Sequence, residues 1–164
     1  DWTGGTVADA LAEGGNVLAD TTLFPLGRRI NAHNDYAAYR LAHPDTVTPD
    51  GALTLFANVE EGDNLVLMSG TTESLVERAG RVAQSALWAG RISADQISGA
   101  LVIYCAGCML TVQDEMEAVV TEIKAALGAA PFIGTFTFGE QGCFNNGENH
   151  HGNLMISMVV FEKS

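Results

Sequence analysis

The run Ala100-Leu-Val-Ile-Tyr-Cys105 has no charged residue and carries the β-branched Val102 and Ile103. It reads as a strand buried on both faces, and a chain with such a strand must supply cover for it from both sides. The cover is legible on either side in the sequence. Leu75, Val76, Ala79, Val82, Ala83, Ala86 and Leu87 recur at helical spacing, with Thr71 or Thr72 available as a cap and Gly90 as the end. Val112–Leu127 is a second amphipathic helix, with Thr111 and Asp114 spaced like a capping box and Gly128 as its stop. Strands interleaved with two long helices predict an α/β (or α+β) layer fold with a mixed sheet, formed as a single domain over residues 1–164.

The remaining segments fit that frame. Thr6–Glu13 reads as a short helix stopped by Gly14-Gly15, followed by a loop-rich stretch from Asn16 to Asp35. Tyr39–His43 is expected as a strand leading into the turn Thr48-Pro-Asp-Gly51. Leu53–Asn58 and Leu65–Ser69 are expected to pair antiparallel around Glu61-Gly-Asp63. Pro131 opens a strand over Phe132–Phe138. A polar, glycine-rich loop from Gly139 to Gly152 leads to a last strand, Leu154–Phe161.

Composition excludes several functions. Eight basic against 20 acidic residues give a net charge of −12. There is no basic stripe to displace counterions from phosphates, so neither nucleic acid nor an anionic membrane surface is an expected partner. The longest uncharged stretch, Gln96–Gln113, is interrupted by Gly99 and Gly107, which suits a buried strand and not a bilayer span. Apolar residues make up 47% of the 164-residue chain, enough to build a core. Three cysteines, an odd number, point to reduced thiols and a cytoplasmic setting. Asp1 follows no initiator Met or signal sequence, so the chain reads as a fragment of a longer protein.

Three segments are unlike generic core or loop: Tyr104-Cys-Ala-Gly-Cys-Met-Leu110, Phe136-Thr-Phe-Gly-Glu-Gln-Gly-Cys-Phe144 and Asn149-His-His-Gly-Asn153. The first two lie just past predicted strand ends, where open α/β sheets hold ligands. In Cys105-Ala-Gly-Cys108, Gly134-Thr-Phe-Thr-Phe-Gly139-Glu140 and His151-Gly-Asn153, in that order, the chain resembles the C-terminal part of the FIST sensory domain family. The likeness extends from Asp1-Trp-Thr-Gly-Gly through Phe24-Pro-Leu-Gly27 and Val59-Glu-Glu-Gly-Asp63 to Phe161. It implies a bacterial or eukaryotic signal-transduction input domain that binds a small ligand such as an amino acid. It also implies an N-terminal companion domain and a signalling output module such as a kinase or cyclase. Many relatives carry an Arg where this chain has Cys108, so no Arg contact carries over to that position.

The residues expected to meet the ligand are Cys108, Met109, Thr111, Gly139, Glu140, Gln141 and Asn153. The backbone donors of a helix starting near Thr111 would hold a carboxylate. Glu140, flanked by Gly139 and Gly142, would meet an ammonium group, so the pair suits a zwitterion. The plainer reading has Thr111 filling the helix cap itself and Glu140 as a solvated loop acid. No nucleophile elbow, phosphate loop or dinucleotide fingerprint occurs, and nothing calls for a cofactor or a catalytic role.

The cysteines allow a second reading, a thiol- or zinc-dependent enzyme or metal sensor built on Cys105, Cys108 and Cys143 with His150 or His151. Cys105-x-x-Cys108 also has redox spacing, but it sits several residues ahead of the predicted helix and no Trp or basic residue flanks it. Cys105, continuous with the strand, is expected to be buried, and Cys108 to lie nearer the surface. Trp2 and Trp88 are expected to pack, and Arg28-Arg29 to be solvated or ion-paired. His33 and His43 show no partner pattern.

Overall fold

A computed structural model of the chain describes residues 2–30, 38–144 and 147–163. His33, in the predicted loop, lies outside the described residues. The architecture is α+β, and the chain groups into two units: one takes the chain up to Gly70 with Gln141–Leu154, the other Thr71–Glu140 with the chain from Met155 on.

In the first unit, α1 (Ala8–Glu13) ends at Gly14, whose φ of 81° is open to glycine at little cost. A Cβ there would stand 3.2 Å from the Val47 carbonyl oxygen, so the close approach also demands glycine. β1 (Gly15–Asn16), β4 (Pro44–Val47) and β5 (Leu53–Leu55) form one antiparallel sheet; β2 (Leu26–Ile30), β3 (Ala38–Ala42) and β6 (Leu65–Leu67) form another. Val7, Val17 and Val47 make a small core with Ala10 and Leu53 packed on it.

The predicted turn at Thr48–Gly51 is present, with the Gly51 amide bonded to Thr48 O and the Thr48 amide to Ala52 O. It is this turn that joins the hairpin, β4 to β5. The expected pairing of Leu53–Asn58 with Leu65–Ser69 does not occur, because β5 is taken by β4 and β6 pairs with β2. The glycine-rich stretch 139–152 is likewise not all loop: β9 (Glu140–Cys143) and β10 (Asn149–Gly152) form a two-stranded sheet.

The second unit is built on the strand the sequence marks most strongly. β7 (Ile97–Cys105) lies between β8 (Phe132–Thr137), parallel to it, and β11 (Ile156–Glu162), antiparallel. The sheet is therefore mixed, as predicted. α2 (Thr72–Gly90) packs against β11 and against α4 (Met116–Leu127). Leu75, Ala79 and Ala83 of α2 and Val119, Ile123 and Leu127 of α4 are buried. Gly80 is also buried, and a Cβ there would press on Glu122 of α4, which is how a small residue lets the two helices close up.

Ala100, Val102 and Tyr104 bury one face of β7. The other face is only half covered: Leu101 is partly exposed, and its register partners Val159 and Ile133 are exposed. The strand is thus not buried equally on both sides. Trp88, expected to pack, is 80% exposed.

The largest departure lies after β7. The predicted helix Val112–Leu127 is two helices, α3 (Ala106–Thr111) and α4, joined by a 3-10 turn at Gln113–Glu115. α3 starts directly from the last residue of β7. Val112, completely buried, leaves helical geometry at φ −113°, ψ 22°, and its amide bonds the carbonyls of Cys108 and Met109. Burial of that side chain stops the first helix, and the chain restarts four residues later.

Candidate functional site

Cys105 ends β7 with its amide bonded to Met155 O, one residue before β11, which fixes its position at the sheet's end. It is also the N-cap of α3, which makes Cys108 the third helical residue. In a capping box the side chains at these two positions turn back towards each other. Here they are two thiols: Cys105 makes no side-chain capping hydrogen bond, and the nearby Cys108 thiol and the backbone N–H groups of Gly107 and Cys108 favour its thiolate.

That arrangement separates the two thiols. The Cys105 pKa is lowered to about 7, first by the Cys108 hydrogen bond and then by the backbone amides, against burial and the charge of Glu140. The Cys108 pKa is raised, first by giving its proton to Cys105 and then by burial. Cys105 is 5% exposed and Cys108 1%. The expectation that Cys108 lies nearer the surface is therefore wrong, because the chain enters a helix at Ala106 and turns Cys108 inward instead of leaving it on a loop.

Glu140 lies at the start of β9, 1% exposed, and accepts a hydrogen bond from Thr137 Oγ1 at 2.8 Å. It is not a solvated loop acid. Its charge acts on both thiols, raising the pKa of each. Tyr104, adjacent in sequence to Cys105, is 3% exposed, and its hydroxyl is the one buried side-chain polar atom with no hydrogen-bond partner among the described residues. Burial raises its pKa, with the two thiols adding to the shift and Arg78 opposing it. Its ring meets that of Phe136, itself 47% exposed, edge-on at 6.0 Å. Arg78 of α2 acts electrostatically on Tyr104 and Cys108. The second unit thus gathers two thiols, a carboxylate, a phenol held protonated and a guanidinium.

The other predicted site residues are placed differently. Thr111 is the last residue of α3 and its hydroxyl donates back to Gly107 O at 3.1 Å; it caps no helix, and Asp114 stands exposed in the 3-10 turn. The helix-start donors invoked for a carboxylate at Thr111 are not there, since a helix ends at that point. Met109 is half-buried, and Gly139 and Gln141 are exposed. Asn153, in the first unit, is buried and structural: its Oδ1 accepts the His43 amide at 3.0 Å, and its own amide donates to Leu41 O.

Cys143 is exposed, and among the described residues no three His, Cys, Asp or Glu side chains converge as metal ligands. His150 instead pairs with Glu148 and meets the Phe144 ring edge-on. Arg28 pairs with Asp63 at 3.0 Å, one of the two roles expected for it, and Trp2 Nε1 donates to Phe24 O. Two surface depressions of the second unit, one lined by Leu87–Ser93 and one including Ala94, Gly128, Pro131 and Lys163, contain none of the predicted site residues.

Tyr104 and Thr137 lie inside the segments the sequence marks, but neither they nor Arg78 are among the residues expected at the site. Tyr104 carried the one usable signal, a phenol inside an otherwise apolar run, because a buried hydroxyl requires a partner.

No helix among the described residues is long and apolar enough to cross a membrane. No curated protein and no solved structure matches the chain. The family model of the FIST C domain matches residues 6–143, a span that includes Cys105, Cys108, Glu140 and Gln141 and stops short of Asn153. The chain belongs to the FIST C domain family, a family of sensory domains in signal transduction.

Proposed function

We propose that this chain is a non-catalytic input domain that binds a small zwitterion, such as an amino acid, for a cytoplasmic signal-transduction protein with a separate output module. The observation that carries the reading is the unpartnered Tyr104 hydroxyl in the same buried cluster as Glu140. A buried polar group without a partner costs about 1–3 kcal/mol, so a ligand that satisfies it recovers that cost on binding. Glu140 supplies an acceptor for an ammonium group. Tyr104, kept protonated by its surroundings, supplies a donor for a carboxylate. Gly139 and Gln141 flank Glu140 in the chain, and Met109 lies one residue past Cys108. Cys108, its thiol held protonated, contributes shape more than charge.

A thermal-shift screen of the reduced protein against amino acids, simple amines and simple carboxylates tests this, because a ligand that binds only the folded state raises Tm. An amino acid should raise Tm where the amine and the carboxylate alone do not, and Glu140→Gln and Tyr104→Phe should each weaken the effect. A screen in which no amino acid shifts Tm overturns the reading.

A further inference from the structure

In the sequence Cys105-x-x-Cys108 sits several residues ahead of its predicted helix, with no Trp or basic residue flanking it. The structure removes the first of these objections to a redox role. α3 begins at Ala106, so Cys105 and Cys108 hold the N-cap and third helical positions. Those positions lie within one turn of each other at a helix start, and each thiol acts on the proton equilibrium of the other. We propose that Cys105 and Cys108 form a reversible intrachain disulfide in response to a small hydroperoxide, giving the domain an oxidative input separate from its ligand.

The roles of the two thiols are set by their surroundings. Gly107 and Cys108 turn backbone N–H groups to the Cys105 sulfur, so Cys105 is the thiolate that attacks first. It displaces on the peroxide O–O bond: the S–O bond forms, the O–O bond breaks, and the leaving oxygen takes a proton to become water or an alcohol. Cys105 is then a sulfenic acid. The Cys108 sulfur attacks it, the S–S bond forms, the S–O bond breaks, and the hydroxyl leaves as water with the Cys108 proton. Two thiols and one hydroperoxide give one disulfide, one water and one alcohol or second water, a two-electron oxidation. A small thiol reductant reverses it by exchange. Cys108, one turn away and already hydrogen-bonded, resolves the sulfenic acid before further oxidation. The burial of both sulfurs disfavours bulky oxidants. The change is felt by the cluster: oxidation removes the thiolate beside Glu140 and Tyr104 and ties the end of β7 to the body of α3.

The exposed Cys143 is removed first, as Cys143→Ser, so that only the pair reports. After hydrogen peroxide treatment of the native, reduced variant, both remaining thiols should be lost together. The peptide spanning Cys105–Cys108 should be two hydrogens lighter, the protein should remain unlinked to other copies, and dithiothreitol should restore both thiols. Adding Cys108→Ser should arrest the reaction at a Cys105 sulfenic acid that dimedone traps. If that double variant does not fold, the peptide mass in Cys143→Ser alone decides. Three results overturn the proposal: both thiols surviving peroxide that oxidises Cys143 in the wild type, loss that dithiothreitol does not reverse, or disulfides formed only between molecules. None of these arms uses a ligand, so their outcome is independent of the amino-acid screen.

Discussion

The side chain of Asn153 accepts the backbone amide of His43 at 3.0 Å, across 110 residues of sequence. Asn153 is buried and its own amide reaches Leu41 O, so it clips the last segment of the first unit to the strand register at Leu41–His43. Removing the acceptor leaves a buried N–H without a partner, which costs about 1–3 kcal/mol. Asn153→Ala should lower stability to denaturant by that amount and speed hydrogen exchange at the His43 amide. Stability equal to wild type would show that the bond does not hold the segment.

His43 gives the first unit a pH response. Its ring is buried and its Nε2 bonds Leu18 O at 2.9 Å, a donor role that the neutral ring can fill. Burial lowers its pKa below the ordinary 6.5, against the smaller effects of the Leu18 carbonyl and Asp45. The unfolded chain then binds the proton more readily than the folded one. Stability from this residue is complete above about pH 6.5 and falls as pH drops from there towards the lower folded value. Denaturant titrations between pH 7.5 and 5 should show this loss, and His43→Phe, which still meets Phe56, should flatten it.

α2 begins with a reciprocal pair: Thr71 Oγ1 accepts the Ser74 amide at 3.1 Å and Ser74 Oγ accepts the Thr71 amide at 3.0 Å. Thr71→Ala removes the N-cap acceptor and should cost about 1 kcal/mol, while Thr71→Ser should cost a few tenths. Equal losses in the two variants would mean that the methyl group, not the hydroxyl, matters.

What the sequence revealed follows from the range of the forces involved. β7, α2 and β8 announce themselves through local periodicity and apolar runs, and all three appear with nearly the predicted bounds. The start of the helix after β7 is not legible in the sequence, because the competing signals are local and the deciding one is not. Thr111 and Asp114 have capping spacing, but burial of Val112 fixes the break, and no pattern in the sequence states which apolar residue will be wholly enclosed. With a helix starting at Ala106 and not near Thr111, Cys105 is strand end and N-cap at once, and Cys108 lies in a helix and not on a loop. Glu140 is expected either as a ligand contact or as a solvated acid, and its burial depends on packing that its glycine-rich neighbours conceal.

The environments of the three cysteines predict their order of reaction. Cys143 is exposed and should be alkylated first; Cys105, with its pKa near 7, should follow, and Cys108, buried with a raised pKa, should be last. In a Cys143→Ser background the alkylation rate of Cys105 should rise with pH around a midpoint near 7. Glu140 opposes the thiolate, so Glu140→Gln should move that midpoint to lower pH. A midpoint unmoved by the substitution would remove Glu140 from the electrostatics of the pair.

Tyr104→Phe separates the needs of the fold from those of the site. The phenol oxygen is buried with no partner among the described residues, so the folded protein carries its desolvation with no return. Phe keeps the ring, its packing and its edge contact with Phe136, and deletes only the oxygen. The ligand-free variant should therefore be more stable than wild type by about 1 kcal/mol, the lower end of the cost of an unsatisfied buried group. Ligand affinity should move the other way, because the donor for the carboxylate is gone. A loss of one hydrogen bond to a charged group corresponds to about 1.5–3 kcal/mol, or about 10- to 150-fold in Kd. Chemical denaturation and calorimetric titration of the same variant check both signs. A variant that is less stable without ligand would mean that the hydroxyl is already satisfied in solution, and the cluster would then have no vacancy for a carboxylate to fill.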